Sequence, residues 1–313
     1  MRHAILGAGG VGLALGAALA RGGHDVTLVM RESTRARYSG VIDVHSRLRG
    51  DHCVPVRAVD RLDEPVDVLW VTVKAPALQA ALSRTGPGTL PGAVVPLLNG
   101  LDHPALLRER FGARQIVGAI RVEAERTGPG RVTWNSLFAE VSLAADEDAP
   151  AVLAGVTAAL ADAGIGCATE PDPAGVLWRK LVLLLPLALA TTAADGPLGA
   201  VRRQPELAAL LRGAAREACA VAATEAVTVD EPDLLHTLAT LPGRTDTSLH
   251  RDVAAGVRPT ELAALTEPVL RRARDHDLAL PAITELARRA AERERHAEAL
   301  APHRSTYSKG ETP

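Results

Sequence analysis

The chain of 313 residues lacks a surplus of charge of either sign. Its 35 lysine and arginine residues are balanced by 37 aspartate and glutamate residues, which gives a formal net charge of -2. A chain with this balance has no broad electrostatic attraction to nucleic acid or to an anionic membrane surface. We therefore expect no nucleic-acid or membrane partner, and a small molecule as the ligand.

Cysteine is also scarce. Cys53, Cys167 and Cys219 lie far apart, and an odd number of cysteines cannot be fully paired within one chain. The ten histidines show no spacing typical of metal ligands. We therefore predict reduced, buried cysteines in a cytoplasmic protein without a metal site.

Long hydrophobic runs are missing as well. The longest, residues 181–190, is half of the roughly 20 residues that a membrane-spanning helix requires. The first residues lead directly into a predicted strand and a glycine-rich turn, so we expect no signal peptide.

The order of hydrophobic segments predicts an α/β protein of two domains. Short β-rich runs alternate with helical segments up to about residue 170, and only helical patterns follow Pro171, Asp172 and Pro173. We predict an N-terminal Rossmann parallel-sheet domain over residues 1–170. An all-helical C-terminal domain for substrate binding and dimerisation should cover residues 171–302, and residues 303–313 should form a disordered tail. The predicted strands are 3–6, 25–29, 68–73, 94–98 and 115–120.

A glycine-rich segment follows the first predicted strand and begins a predicted helix. In this position Gly7 permits a tight turn, Gly9 lets the backbone approach a pyrophosphate, and Gly12 lets the helix pack closely on the strand. The helix N-terminus supplies N–H donors to phosphate oxygens. The pattern predicts a dinucleotide site that also includes Gly10 and Val11; a glycine turn with only a packing role is the alternative.

The segment that follows the second predicted strand bears on cofactor choice. NAD-binding chains usually carry an acidic residue there, whereas this chain has Arg31, with Arg35 and Arg37 nearby. A guanidinium can donate two parallel hydrogen bonds to a 2′-phosphate, which favours NADP (NADPH) as cofactor. The alternative is that Arg31 is an ordinary solvated residue and that Glu32 accepts from an NAD ribose.

Polar residues also follow two later predicted strands, where Lys74 and Asn99 end the third and fourth runs. Three further motifs lie downstream: Leu-Trp-Arg-Lys-Leu at 177–181, Thr-Ser-Leu-His-Arg-Asp at 247–252 and Arg-Pro-Thr-Glu at 258–261. With these five motifs in order, the chain resembles the ketopantoate reductase (2-dehydropantoate 2-reductase) family over nearly its whole length.

This resemblance implies an NADP-dependent oxidoreductase acting on CH-OH groups, which reduces the ketone of a 2-keto acid in pantothenate biosynthesis. It implies that Lys180 is the general acid and Glu261 a second catalytic residue. Asn99 would bind both substrate and cofactor, Ser248 and Glu261 would hold the substrate, and Lys74 would lie near the nicotinamide ribose. By analogy with two-domain dehydrogenases, we expect a homodimer.

The residue types agree with these roles. Hydride arriving at a carbonyl carbon leaves negative charge on the oxygen, which an ammonium stabilises and protonates. Apolar neighbours would lower the pKa of Lys180, whereas a carboxylate such as Glu261 would raise it. The alternatives are a snorkelling helix residue for Lys180, a surface lysine for Lys74, a turn for Asn99, and helix caps or solvated residues for Ser248 and Glu261.

The chain departs from the family pattern four and eight residues after Lys180. The family usually has asparagines there, and this chain has Leu184 and Ala188; its only asparagines are Asn99 and Asn135. A leucine in place of an amide that binds a hydroxyl favours a less polar substrate, with Leu184 lining the substrate site. Two alternatives to a ketopantoate reductase follow: a related hydroxyacid or imine reductase, and an NADPH-binding regulator that has lost catalysis.

The same helix contains Pro186, which removes a hydrogen bond to the Val182 carbonyl and predicts a kink. Thr191 and Thr192 follow one turn later. We expect them either to supply the missing hydroxyl contacts or to belong to a repacked core.

Overall fold

The computed structural model describes residues 1–145 and 150–300. The chain divides into two compact units. The first contains Met1–Leu181 with Glu225–Val227, and the second contains Val182–Thr224 and the chain from Thr228 onward. The predicted tail, 303–313, lies outside the described residues, and the predicted domain boundary at residue 170 stays a prediction.

Twelve strands are found in the described residues, all of them in the first unit. They are β1 (Arg2–Leu6), β2 (Asp25–Val29), β3 (Val41–His45), β4 (His52–Pro55), β5 (Arg57–Val59), β6 (Val66–Val71), β7 (Pro91–Pro96), β8 (Val117–Arg121), β9 (Ala124–Gly128), β10 (Arg131–Trp134), β11 (Glu140–Ala144) and β12 (Gly166–Thr169).

The helices of the first unit are α1 (Gly10–Arg21), α2 (Glu32–Arg35), α3 (Leu78–Leu82), α4 (His103–Phe111) and α5 (Pro150–Asp162), with short 3-10 turns at Ala75–Ala77 and Gly112–Arg114. The long helix α6 (Pro173–Ala193) contains residues of both units. The second unit continues with α7 (Leu198–Arg202), α8 (Pro205–Thr224), α9 (Glu231–Thr240), α10 (Ser248–Ala254), α11 (Leu262–Asp275) and α12 (Pro281–Leu300).

The central sheet confirms the predicted fold class. Its strand order is β5-β2-β1-β6-β7, and every neighbouring pair is parallel. Successive strands extend the sheet first to one side of β1 and then to the other, which is the doubly wound arrangement of a Rossmann domain. The sheet therefore has its switch point between β1 and β6, and the carboxyl ends of these two strands mark the expected ligand edge.

The predicted strands match β1, β2, β6, β7 and β8 to within a few residues, but seven strands were not predicted. Six of those seven belong to two smaller sheets, of order β4-β3-β10-β9 and β12-β11-β8. In β3 the side chains of Ile42 and Val44 are buried, while Asp43 and His45 are exposed. Such alternation gives a weaker signal than the continuous apolar runs of a parallel sheet covered on both faces.

Helix α1 is buried along nearly its whole length. Residues from Gly12 to Leu19 are all buried. The helix packs against the central sheet on one side and against β3, β4, β9 and β10 on the other. A helix covered on both sides needs apolar residues all round, which explains its alanine- and leucine-rich sequence.

One histidine lies in the core of the first unit. His3 is only 1% exposed, and its Nδ1 accepts a hydrogen bond from Trp70 Nε1 at 3.1 Å. Burial, and then the nearby charge of His24, lowers the pKa of His3 to about 4. His3 is therefore neutral at neutral pH and acts as a hydrogen-bond acceptor within the core.

The three cysteines are free, but the prediction that all are buried was wrong. Cys53 is exposed, because it occupies an outward-facing position on β4, where its thiol is 3.5 Å from Asp43 Oδ1. Cys167 and Cys219 are half-buried. Within residues 1–145 and 150–300, no three His, Cys, Asp or Glu side chains form a group able to hold a metal ion.

Helix α6 runs without a break through Pro186. By length and composition it is apolar enough to cross a membrane, and 67% of its most apolar window is buried within the protein. The helix is therefore as well suited to a protein core as to a bilayer, and its composition alone is weak evidence for a membrane.

Candidate functional site

The turn after β1 depends on two glycines. Gly7 has a φ of +117°, and a Cβ there would approach Val73 Cγ1 to 2.6 Å. The Thr72 hydroxyl donates to the Gly7 carbonyl at 2.8 Å, which ties this turn to the end of β6. A Cβ on Gly12 would overlap that same carbonyl. Helix α1 can therefore pack directly onto the turn only with glycine at both positions.

The next two glycines of the motif have different environments. A Cβ on Gly10 would overlap the Ala124 carbonyl, whereas a Cβ on Gly9 would meet no described atom within 4 Å. Gly9 is the N-cap of α1, and Val11 lies in the first turn, which contains no acidic residue. An uncrowded, glycine-lined helix N-terminus fits the pyrophosphate of a dinucleotide.

Arg31 lies at the carboxyl edge of β2, where it is the N-cap residue of the short helix α2. It is exposed, as is Glu32 beside it. Arg35 is engaged by Asp60, with Nε and Oδ1 3.1 Å apart, and Arg37 Nε donates to the Ser33 carbonyl at 3.2 Å. In the described part of the chain Arg31 makes no such ion pair, so its guanidinium is available to a ligand.

Lys74 and Asn99 lie at the same edge of the central sheet as Gly7. Leu6 pairs with Val71, and Val71 pairs with Pro96, so the segments that follow β1, β6 and β7 leave the sheet side by side. Lys74 is exposed and Asn99 is half-buried. The structure therefore brings the glycine turn, Lys74 and Asn99 to one edge.

Lys180 is half-buried on α6, and the two residues before it bond to other parts of the chain. Trp178 is fully buried and donates from Nε1 to Glu225 Oε2 at 2.7 Å, while the exposed Arg179 forms an ion pair with Glu170. The charge of Lys180 also acts on His103, since after burial it is the second cause that lowers the pKa of His103 to about 4. Lys180 is therefore within electrostatic reach of the segment that follows Asn99.

His103 was not predicted as a site residue. It is the first residue of α4, four positions after Asn99, and is only 5% exposed. Among the described residues, neither of its ring nitrogens has a hydrogen-bond partner. Its burial could not be read from the sequence, where the only signal was a histidine closely following Asn99.

The remaining predicted site residues belong to the second unit. Ser248 is exposed at the start of α10, but the helix is capped by Thr247, whose hydroxyl accepts from the His250 N–H at 3.3 Å. Glu261 is 5% exposed and precedes α11 without a side-chain capping bond. Leu184 is half-buried, one helical turn after Lys180. The capping alternative therefore fails for both Ser248 and Glu261.

Thr191 and Thr192 are core residues. Their hydroxyls donate to the carbonyls of Leu187 and Ala188 in the same helix, at 2.8 and 2.7 Å. Thr191 also contacts the hydroxyl of Thr247, with 2.9 Å between the oxygens, and so supports the start of α10. The repacked core is therefore the correct choice between the two expectations for these threonines.

Two family models match the chain. "Ketopantoate reductase PanE/ApbA" covers residues 3–146, and "Ketopantoate reductase PanE/ApbA C terminal" covers residues 174–294. The chain belongs to the ketopantoate reductase family. It is 31% identical to the 2-dehydropantoate 2-reductase of Halobacterium salinarum over 295 residues, 92% of this chain and 97% of that protein. The family consists of NAD(P)H-dependent oxidoreductases that act on CH-OH groups, which confirms the class of enzyme implied by the motifs.

Solved structures of the ketopantoate reductase family have the same fold. The 2-dehydropantoate 2-reductase of Geobacter metallireducens superposes with a TM-score of 0.83 at 26% identity, covering 93% of this chain and 99% of that one. A D-mandelate dehydrogenase with NADH and anilino(oxo)acetate also superposes with a TM-score of 0.83, at 20% identity over 95% of this chain and 99% of that chain. At that identity the second likeness establishes the fold alone.

The glycine environments predict that Gly9→Ala and Gly12→Ala impair this reductase in different ways. Gly9→Ala should fold normally but weaken cofactor binding at least about tenfold, because its methyl group occupies the approach to the helix N-terminus. Gly12→Ala should lower the melting temperature, because its methyl group overlaps the Gly7 carbonyl. Thermal melts and titration of intrinsic fluorescence with cofactor measure the two effects. Equal melting temperatures for the two variants would contradict the assignment of Gly12 to packing and Gly9 to cofactor access.

Proposed function

We propose that this protein reduces the ketone of a 2-keto acid, with NADPH as hydride donor and Lys180 as the general acid. The observation that carries the proposal is the edge of the central sheet where the glycine turn, Lys74 and Asn99 lie, in a unit that also contains the half-buried Lys180. That combination supplies an edge suited to a dinucleotide and a candidate proton donor in the same unit.

The rarity of lysine supports a proton-donating role. Only three of the 35 basic residues are lysines, Lys74, Lys180 and Lys309, and all the others are arginines. A guanidinium retains its proton throughout the accessible pH range, whereas an ammonium can release one. This chain, which uses arginine almost everywhere, has a lysine at the position where the proposed reaction needs a transferable proton.

NADPH, when bound, supplies hydride to the carbonyl carbon of the substrate. The Lys180 ammonium stabilises the negative charge that develops on the carbonyl oxygen and then donates its proton there, which yields the hydroxy acid. We propose that Asn99 orients the substrate and contacts the cofactor, that Ser248 and Glu261 hold the substrate, and that Lys74 fixes the cofactor by its charge. In this proposal Glu261 accepts hydrogen bonds from the substrate.

The choice of NADPH rests on Arg31. Its exposed guanidinium follows β2 at the position where a ribose 2′-substituent is recognised, and the neighbouring Arg35 is already engaged by Asp60. A 2′-phosphate can accept two charge-assisted hydrogen bonds from the Arg31 guanidinium, whereas a 2′-hydroxyl offers no charged oxygens to accept them.

Replacement of Lys180 tests the acid role. Lys180→Ala should lower turnover by about 10²–10⁴-fold, measured with a keto acid that the wild-type protein reduces. Lys180→Arg should also be severely impaired, because arginine keeps the charge but not the transferable proton. Both should bind NADPH as tightly as the wild type. Lys74→Arg is the matched control and should keep most of the activity, since Lys74 acts by charge alone.

Steady-state oxidation of NADPH at 340 nm and fluorescence titration measure turnover and binding. Wild-type rates for Lys180→Arg would exclude proton donation by this residue. Tight NADPH binding without turnover of any carbonyl compound would favour a cofactor-binding regulator.

Replacement of Arg31 tests cofactor choice. Arg31→Ala should raise the KM for NADPH about 10- to 100-fold, because two charge-assisted hydrogen bonds are lost, and should leave the KM for NADH nearly unchanged. Arg35→Gln is the control, because Arg35 is paired with Asp60. A wild-type preference for NADH would instead assign the ribose contact to Glu32.

A second candidate substrate class is a 2-keto acid with an apolar side chain. The half-buried Leu184 and the fully buried Ala188 offer no hydrogen-bonding group on the turns that follow Lys180. A protein with this fold, D-mandelate dehydrogenase, has been observed with anilino(oxo)acetate, an aryl-substituted oxo acid. This observation makes phenylglyoxylate the natural competitor to ketopantoate, with cyclic imines as a further class to assay.

Replacement of Leu184 separates the two substrate classes. Leu184→Asn should increase the ratio of kcat/KM for ketopantoate to that for phenylglyoxylate at least about tenfold, because an amide can bind the substrate hydroxyl. Leu183→Asn is the matched control, since Leu183 is equally half-buried on the same helix but faces another direction. Equal effects of the two substitutions would exclude Leu184 as a specificity residue.

We also propose a cytoplasmic homodimer with a cofactor domain over residues 1–170 and a substrate and dimerisation domain over residues 171–302. Three free cysteines suit a reducing compartment. A ketopantoate reductase of Staphylococcus aureus with the same fold is described as dimeric. Size-exclusion chromatography with light scattering measures the oligomeric state directly.

A further inference from the structure

Both backbone polar groups of Gly7 are bonded to the ends of neighbouring strands. Its N–H donates to the Val29 carbonyl of β2 at 3.0 Å, and its carbonyl accepts from the Thr72 hydroxyl at 2.8 Å. Thr72 directly follows β6, and its own N–H donates to the Leu6 carbonyl at 3.0 Å. Of these three bonds, the one from the Thr72 hydroxyl alone depends on a side chain. It is therefore the bond that a substitution can remove.

The bond from Thr72 also determines the direction of the next N–H group. A trans peptide is planar, and its C=O and N–H point in opposite directions. Because the Gly7 carbonyl points to the Thr72 hydroxyl, the Ala8 N–H points away from it. Among the described residues this N–H donates to no backbone carbonyl. It is therefore available to a ligand, in an orientation that the Thr72 hydroxyl fixes.

The Thr72 hydroxyl also lies against the start of α1. A Cβ on Gly12 would come within 2.6 Å of Thr72 Oγ1 and would overlap the Gly7 carbonyl oxygen. A carbonyl enclosed in this way is costly to leave without a donor. Gly7 has a φ of +117°, and glycine resists backbone rotation less than any other residue. Without the hydroxyl, we expect the peptide after Gly7 to adopt several orientations.

We propose that Thr72 is a positioning residue for cofactor binding: its hydroxyl holds the peptide after Gly7 in one orientation, so that the N–H groups of the turn are ready for the pyrophosphate of a dinucleotide. N–H groups that already point at a phosphate oxygen bind it more tightly, because they need no ordering on binding. Thr72 acts through the turn. This inference rests on a dinucleotide binding at the glycine turn, and it depends neither on Lys180 as the acid nor on the choice of NADPH over NADH.

Thr72→Val and Thr72→Ser test the role of the hydroxyl. Valine has nearly the shape of threonine and lacks the donor, whereas serine retains the donor. Thr72→Val should weaken NADPH binding about 5- to 50-fold, because the turn must then be ordered on binding. Thr72→Ser should restore most of the affinity. In steady-state assays the KM for NADPH should rise in Thr72→Val by a similar factor, while kcat at saturating NADPH should change much less.

Thr89→Val is the matched control for stability. The Thr89 hydroxyl donates to the Leu62 carbonyl at 2.7 Å. Leu62 precedes β6 and Thr89 precedes β7, so this bond lies at the amino edge of the central sheet, opposite the glycine turn. Removal of either hydroxyl deprives a carbonyl of its donor and should lower the melting temperature by a few degrees. Only Thr72→Val should weaken NADPH binding; a purely structural role for Thr72 predicts that the two variants bind NADPH alike.

Ligands with and without a pyrophosphate locate the effect. NADPH and NADH share the pyrophosphate, so Thr72→Val should weaken the binding of both by the same factor. Adenosine 2′-monophosphate lacks it and should bind Thr72→Val as it binds the wild type. Arg31→Ala should show the other pattern, with weaker binding of NADPH and adenosine 2′-monophosphate and unchanged binding of NADH. Isothermal titration calorimetry of the full-length protein measures the dinucleotides, and competition against NADPH measures the monophosphate.

Wild-type affinity for NADPH and NADH in folded Thr72→Val would overturn the inference. An equal loss of affinity in Thr72→Ser would also overturn it, because the hydroxyl would then not be the group that matters. An equal loss for adenosine 2′-monophosphate would do the same, since the damage would not be confined to the pyrophosphate. If the wild type binds NADPH but reduces no keto acid, the proposed function fails, and the binding measurements still decide the role of Thr72.

Discussion

The contact between the start of α1 and the turn after β1 is the constraint on which the rest of the first unit depends. A Cβ on Gly12 would overlap the Gly7 carbonyl, which also accepts the Thr72 hydroxyl. This contact joins the helix N-terminus to the ends of β1 and β6 at the switch point of the parallel sheet. The burial of α1 on both sides then holds its glycine-lined N-terminus in place.

We propose distinct chemical tasks for two charged residues of the first unit. Arg31 is exposed and suited to phosphate, while Lys180 is half-buried in an apolar helix and suited to releasing a proton. Arginine and lysine are not interchangeable in these tasks, because only lysine can release its proton. The sequence has only three lysines among its 35 basic residues, so the lysine at position 180 stands out.

Particular residues show which features the sequence patterns predicted and which they did not. The strand, glycine turn and helix at the N-terminus were predicted because each glycine has a local steric reason, and the central strands because their apolar runs are continuous. The exposure of Cys53 and the alternating strand β3 were not predicted, because strands of the smaller sheets mix exposed and buried positions. Thr247, and not Ser248, caps α10; both residues suit a cap, and only the backbone of α10 decides between them.

The sequence by itself determined the fold class, the family and the dinucleotide type of cofactor, because these depend on local motifs and on their order along the chain. It also established that leucine and alanine occupy positions 184 and 188 after Lys180, since that is a matter of residue identity. Only the tertiary structure decided which polar groups are buried without partners, which arginines are already engaged, and that Thr191 and Thr192 belong to the core. Those properties depend on distances between residues remote in the chain, and side-chain type carries no record of such distances.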